Sequence, residues 1–239
     1  MLVVCLLLVF ACSSRSTGAQ QTRVTIPSQG WQLIGDLVMP VSERPVPAVL
    51  LLNKAAGDRS VYRDLAADLA ERGMASLRLD LPGHGESTNL GRFVPGEQPR
   101  SPMIWDAEEQ IRSAIQFLRS HPGVDGSRIG GVGASYSGEE LAEAGRRFGY
   151  VQAYVMLSPG SFSAVSIQEI DASGVPWLYI ASRDERYLRE ITDAVKAQSQ
   201  RAHLELLPGT SHATDLLVTH ADLAPRVAVW LEYRLASRE

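Results

Sequence analysis

Two rhythms of apolar and polar residues alternate along this chain from residue 22 onward. Residues 22–26 and 31–39 alternate apolar with polar positions on either side of Ser28-Gln29-Gly30, a pattern that predicts two half-buried strands joined by a tight turn at one edge of a sheet. Residues 46–52 and 74–79 are denser in apolar side chains, as strands covered on both faces require. Between them, residues 60–72 place Val61, Leu65 and Leu69 on one helical face and end at Gly73, which suits a left-handed cap. Together these make one strand-helix-strand unit.

The alternation continues to the end of the chain. A helix is expected over 103–120, with Ile111, Ile115 and Leu118 facing inward and His121-Pro122-Gly123 stopping it. A short strand over 128–132 and a helix over 137–147 follow, then strands over 151–157, 176–181 and 202–207. An amphipathic helix over 222–235, carrying Val227, Trp230 and Leu231, closes the chain. The predicted class is α/β, a mostly parallel, doubly wound sheet with helices on both faces. The interval between Leu157 and Pro176 leaves little room for a helical lid, so no large lid domain and an open site are expected. Residues 88–100, rich in Gly and Pro, form a surface loop placed to overhang a site. No internal repeat, low-complexity stretch or second domain interrupts residues 22–239, which are taken as one domain.

Residues 1–21 are different. An apolar run, MLVVCLLLVFA, is followed by Cys12 and a small polar tether. The run falls short of the roughly 20 residues a permanent membrane helix needs, and it fits an export signal. No Lys or Arg precedes it, a departure from the usual signal pattern. Val9-Phe10-Ala11-Cys12 resembles the lipobox of bacterial lipoproteins, which implies a lipid anchor on Cys12 in the cell envelope and loss of Cys5 with the signal. Simple cleavage near Ala11 or Ala19 is the alternative. Either way the mature domain is not expected to use thiol or thiolate-metal chemistry.

Composition narrows the partners. The chain has 239 residues, 45% of them hydrophobic, enough for one domain with a sizeable core. Its net charge is -4 and its Lys and Arg residues are scattered, so no nucleic-acid footprint is visible and a small or neutral partner fits better.

The candidate chemistry lies in Gly131-Val132-Gly133-Ala134-Ser135-Tyr136-Ser137-Gly138, where a predicted strand passes into a helix. A serine in such an elbow is lifted clear of the sheet by a strained turn, and small residues two before and two after let the backbones pass. Gly133 meets that demand, and Ser137 stands at the second small position in place of the usual glycine. With this elbow, and with Leu79-Asp80-Leu81-Pro82-Gly83-His84-Gly85-Glu86-Ser87 after a strand, residues 22–236 resemble the α/β-hydrolase family, in particular its compact dienelactone-hydrolase-like and esterase-like members.

The resemblance implies a nucleophile, an acid and a histidine in that chain order. Ser135 is the expected nucleophile, a hydroxyl that needs an imidazole to take its proton and a carboxylate to fix that imidazole. His212, in the loop after the last strand, is the expected base; His84, His121, His203 and His220 fit surface, turn or strand roles. Asp184, just beyond strand 176–181, is the expected acid, with Glu185 beside it and with Asp171 and Asp215 as weaker candidates. The oxyanion donors implied are the backbone N–H groups of Tyr136 and, by position, Ala55. Asn53-Lys54 stands where many relatives have His-Gly.

The resulting expectation is hydrolysis of a small carboxylic ester through an acyl-enzyme, with no cofactor and no metal. Thioester or amide cleavage uses the same machinery. A fold-sharing lipoprotein that only binds a small ligand is the rival from a different class.

Overall fold

A computed structural model describes residues 18–96, 103 and 105–236 of the chain. The apolar run of the proposed signal, the cleavage position near Ala11 and Cys12 lie outside the described residues, as do residues 97–100 of the Gly/Pro-rich segment.

Eight strands form one sheet: β1 (Gln20–Ser28), β2 (Trp31–Met39), β3 (Val46–Leu52), β4 (Ala75–Leu79), β5 (Val124–Ala134), β6 (Ala153–Leu157), β7 (Trp177–Ser182) and β8 (Ala202–Leu207). Their order is β1-β2-β4-β3-β5-β6-β7-β8. The first two strands make an antiparallel hairpin, turned by Gln29 and Gly30 with φ of 47° and 83°, the left-handed pair that a two-residue hairpin favours. Strand β2 runs antiparallel to β4, and every later pairing is parallel. This is the mostly parallel α/β sheet that the apolar runs predict.

Among the described residues seven α-helices accompany the sheet, the first five between strands and the last two after β8: α1 (Arg63–Glu71), α2 (Glu108–Ser120), α3 (Tyr136–Phe148), α4 (Ala164–Ser173), α5 (Arg189–Gln198), α6 (Asp215–Thr219) and α7 (Leu223–Leu235). The core divides into two layers, one on each face of the sheet. Leu50, Leu77, Ile111, Leu141 and Tyr154 pack on one face, and Leu51, Leu65, Leu69, Val155 and Leu231 on the other. Because neighbouring side chains of a strand point to opposite faces, the continuous apolar runs of β3 and β6 feed both layers.

Several boundaries differ from the pattern. The helix expected over 60–72 opens with a tighter turn, Arg59–Tyr62, before α1 begins. The helix expected from 103 starts at Glu108, after Asp106 takes a left-handed φ of 82°. The interval between β6 and β7, where little room for a helical lid is expected, holds the short helix α4, whose Ser166, Ile167 and Ile170 are buried as it packs against α3 and α5.

The loops after β3 and β4 are organised by one buried carboxylate. Asp80 accepts from the Arg59 N–H at 2.7 Å and the Glu86 N–H at 3.0 Å, and it pairs with the Arg59 guanidinium. A Cβ on Gly85 would lie 2.1 Å from that carboxylate, so only glycine lets the turn close over it.

Candidate active site

Parallel order sets the site. Strand β5 lies between β3 and β6, so the loops leaving the C-terminal ends of these strands stand side by side at one rim, where open α/β sheets place their ligand crevices. Ser135 follows β5 directly, with φ 57° and ψ −125°, and its N–H bonds Leu157 O at 3.0 Å. A non-glycine residue there is strained, and packing below it holds the strain. A Cβ on Gly133 would come within 2.6 Å of Gly138 Cα, so strand and helix touch backbone to backbone beneath the serine.

Ser137 explains its own departure from glycine. The side chain is fully buried, its Oγ accepts from the Ala134 N–H at 2.8 Å, and it lies 3.0 Å from Ala134 O and 3.2 Å from Leu52 O as possible acceptors for its single proton. The hydroxyl therefore sits between the elbow and the end of β3, satisfying an amide that burial would otherwise leave unpaired.

His212 Nε2 stands 2.9 Å from Ser135 Oγ. The imidazole is held from behind: Ser182 Oγ bonds Ser211 O at 2.7 Å, and Ala213 turns the chain with φ 55°. His212 Nδ1 lies 2.5 Å from Glu185 Oε1. Ser158 Oγ donates to the other oxygen, Glu185 Oε2, at 2.9 Å, and Ser158 itself takes a left-handed φ of 42° at the end of β6. Ser135, His212 and Glu185 thus form a continuous hydrogen-bonded chain.

The carboxylate in that chain corrects the expectation for Asp184. The β7–β8 pairing runs past β7, because Arg183 N bonds Leu207 O at 2.7 Å and Asp184 N bonds Gly209 O at 3.1 Å. This extension leaves the Asp184 side chain exposed, while Glu185 turns inward and is buried. The other carboxylates are engaged elsewhere. Asp171 accepts from Trp177 Nε1 at 2.9 Å and Ser199 Oγ at 2.7 Å, and Asp215 pairs with Lys54 Nζ at 2.5 Å.

The remaining histidines lie apart from this chain. His84 is buried between the rings of Phe93 and Tyr136, with its Nδ1 2.8 Å from Pro82 O, and burial lowers its pKa. His121 Nδ1 accepts from Gly123 N at 3.1 Å, and His203 lies exposed on β8.

Two backbone positions face the oxyanion question. Tyr136 is the first residue of α3, so its N–H has no carbonyl one turn earlier in the helix. Ala55 lies in the turn after β3, where Asn53 Nδ2 bonds Lys54 O at 2.9 Å and Gly57 O at 3.1 Å, and Ala56 has φ 58°.

Sequence reasoning did not single out Tyr187 or Gly160. The Tyr187 hydroxyl contacts His212 Nδ1, and partial desolvation of that hydroxyl end together with a hydrogen bond to Glu185 raises its pKa, so the phenol keeps its proton while the ring stays exposed. Neither residue belongs to a motif, since a fold-back of the chain brings them to the serine. Among the described residues no His, Cys, Asp and Glu side chains cluster as a metal site, and no helix is long and apolar enough to cross a membrane.

No family model matches the chain. A sequence relative is an uncharacterized protein of Mycobacterium tuberculosis, 32% identical over 160 residues, which cover 65% of this chain and 50% of that protein. The chain spans about half the length of that relative. Among solved structures, a dienelactone hydrolase of Anabaena variabilis superposes with a TM-score of 0.70 at 22% identity, over 91% of this chain and 99% of the other. An esterase of Pyrococcus furiosus gives a TM-score of 0.67 at 16% identity, over 91% and 93%. With the strand order and the β5–α3 elbow, these likenesses show that the chain has the α/β-hydrolase fold.

Proposed function

We propose that this protein is a serine hydrolase that cleaves carboxylic esters, with Ser135 as nucleophile, His212 as general base and Glu185 as the acid that orients it. One observation carries the reading: a single imidazole bridges Ser135 Oγ at 2.9 Å and a buried carboxylate at 2.5 Å. Solved structures of the same fold that are named dienelactone hydrolase and esterase support it as analogues.

In the first half-reaction His212 Nε2 takes the Ser135 proton as Oγ attacks the ester carbonyl. Glu185 stabilises the imidazolium through Nδ1, and Ser158 keeps that carboxylate aimed. The N–H groups of Tyr136 and Ala55 receive the oxyanion. His212 then gives its proton to the departing alcohol, and water activated by the same imidazole releases the acid. Thioesters and amides are the alternative substrates for this machinery.

A fluorophosphonate probe tests the reading. It should label the protein at Ser135, as mapped by peptide mass spectrometry, and Ser135→Ala should abolish labelling. An unlabelled native protein would favour the purely ligand-binding rival. Export and a lipid anchor at Cys12 complete the proposal. Palmitate incorporation that persists in Cys12→Ser would remove the anchor from it.

A further inference from the structure

Gly160 is a glycine that neither the backbone nor the packing requires. Its φ lies outside the left-handed region. A Cβ there would meet its nearest heavy atoms at ordinary contact distances: 3.6 Å to Ser135 Oγ, 3.6 Å to Tyr187 Cε2 and 3.8 Å to His212 Cε1. Gly133 shows the contrast, since a Cβ there would lie 2.6 Å from backbone. An alanine fits the folded chain at 160, yet the methyl it adds would enter the space bounded by the nucleophile, the base and the ring of Tyr187, which is 59% exposed.

The sheet order says which part of a substrate that space receives. The turn holding Ala55 follows β3 and the segment holding Gly160 follows β6, on opposite sides of β5 and Ser135. A carbonyl oxygen directed to the β3 side therefore sends another substituent of the same carbon toward Gly160. His212 borders this notch, and the leaving oxygen must come to His212 to collect its proton.

On the reading of Ser135 and His212 given above, we propose that Gly160 and Tyr187 form the leaving-group subsite, open to esters of bulky, apolar alcohols. As the acyl carbon–oxygen bond breaks, the electron pair stays on the alcohol oxygen and His212 Nε2 supplies its proton. The acyl group remains on Ser135, and the alcohol departs along the Tyr187 ring.

The test compares kcat/KM for 2-naphthyl acetate with that for ethyl acetate, and for ethyl butyrate with ethyl acetate, in the native protein, Gly160→Ala and Gly160→Val. Ratios within one protein cancel any loss of folded fraction. The naphthyl-to-ethyl ratio should fall stepwise, by at least about tenfold in Gly160→Val, while the butyrate-to-acetate ratio stays within about twofold. An unchanged naphthyl ratio, or a shift confined to the butyrate ratio, overturns the subsite. Failure of the native protein to label at Ser135 overturns the hydrolase reading and this one together, whereas labelling with flat ratios removes only the subsite.

Discussion

Asp184 and Glu185 carry the same charge one residue apart, and the difference between them is direction. The first is exposed where the β7–β8 pairing runs on, and the second reaches back under His212. Glu185→Gln should lower kcat roughly 10³- to 10⁴-fold, because an amide can hold the wrong imidazole tautomer and cannot balance the imidazolium. Asp184→Asn should change kcat less than about twofold. Steady-state kinetics on a nitrophenyl ester separates the two, and equal losses would contradict the assignment. The sequence placed a carboxylate at this loop and the histidine in the next. It could not tell 184 from 185, because that depends on how far β7 pairs beyond its last apolar residue. Ser135 and His212 were legible for the opposite reason, since an elbow motif and a short loop after the last strand leave little freedom of direction.

At the scale of elements, two loops must keep their spacing for the site to work. Lys54, in the turn after β3, pairs at 2.5 Å with Asp215, at the start of α6 and three residues beyond His212. The pair ties the turn carrying Ala55, the proposed oxyanion donor, to the loop carrying His212, the proposed base. Such a partly exposed pair contributes about 0.2–1 kcal/mol. Lys54→Met and Asp215→Asn should therefore each lower kcat roughly two- to fivefold with little change in KM, and the exchanged pair Lys54→Asp/Asp215→Lys should recover part of the loss. No recovery would reduce the pair to a surface contact. This clasp gives the lysine a role that its position among expected glycines did not suggest. Helix α4 was illegible because it buries little besides Ser166, Ile167 and Ile170, a face too narrow to leave an amphipathic period. Helix α5 does carry such a period, with Ile191, Ala194 and Val195 on its inner face, and sequence reasoning passed over it.

For the molecule as a whole, the two-layer core was written in the apolar runs of the eight strands, but its buried charges were not. Glu140 on α3 accepts from the Ala107 N–H at 2.7 Å at the start of α2, and burial pushes its carboxyl up from 4.5 to about 8. Between those values the folded chain keeps a proton that the unfolded chain releases, so this group lowers stability as pH rises through that window. Glu140→Gln should remove the dependence. Its Tm should gain on the native protein by a few degrees between pH 5 and pH 8, about 1 kcal/mol corresponding to roughly 2–4 °C at this size. Parallel Tm curves would show that Glu140 does not carry this titration.

If the protein is the proposed hydrolase, an acyl group passes through Ser135 in every turnover. Acid-quenching a reaction with nitrophenyl acetate within the first turnover, followed by mass spectrometry, tests it most directly. One acetyl group is expected on the peptide containing Ser135, accumulating in step with a burst of nitrophenol. Turnover with no acetylated Ser135, or with acetyl on another side chain, would contradict it.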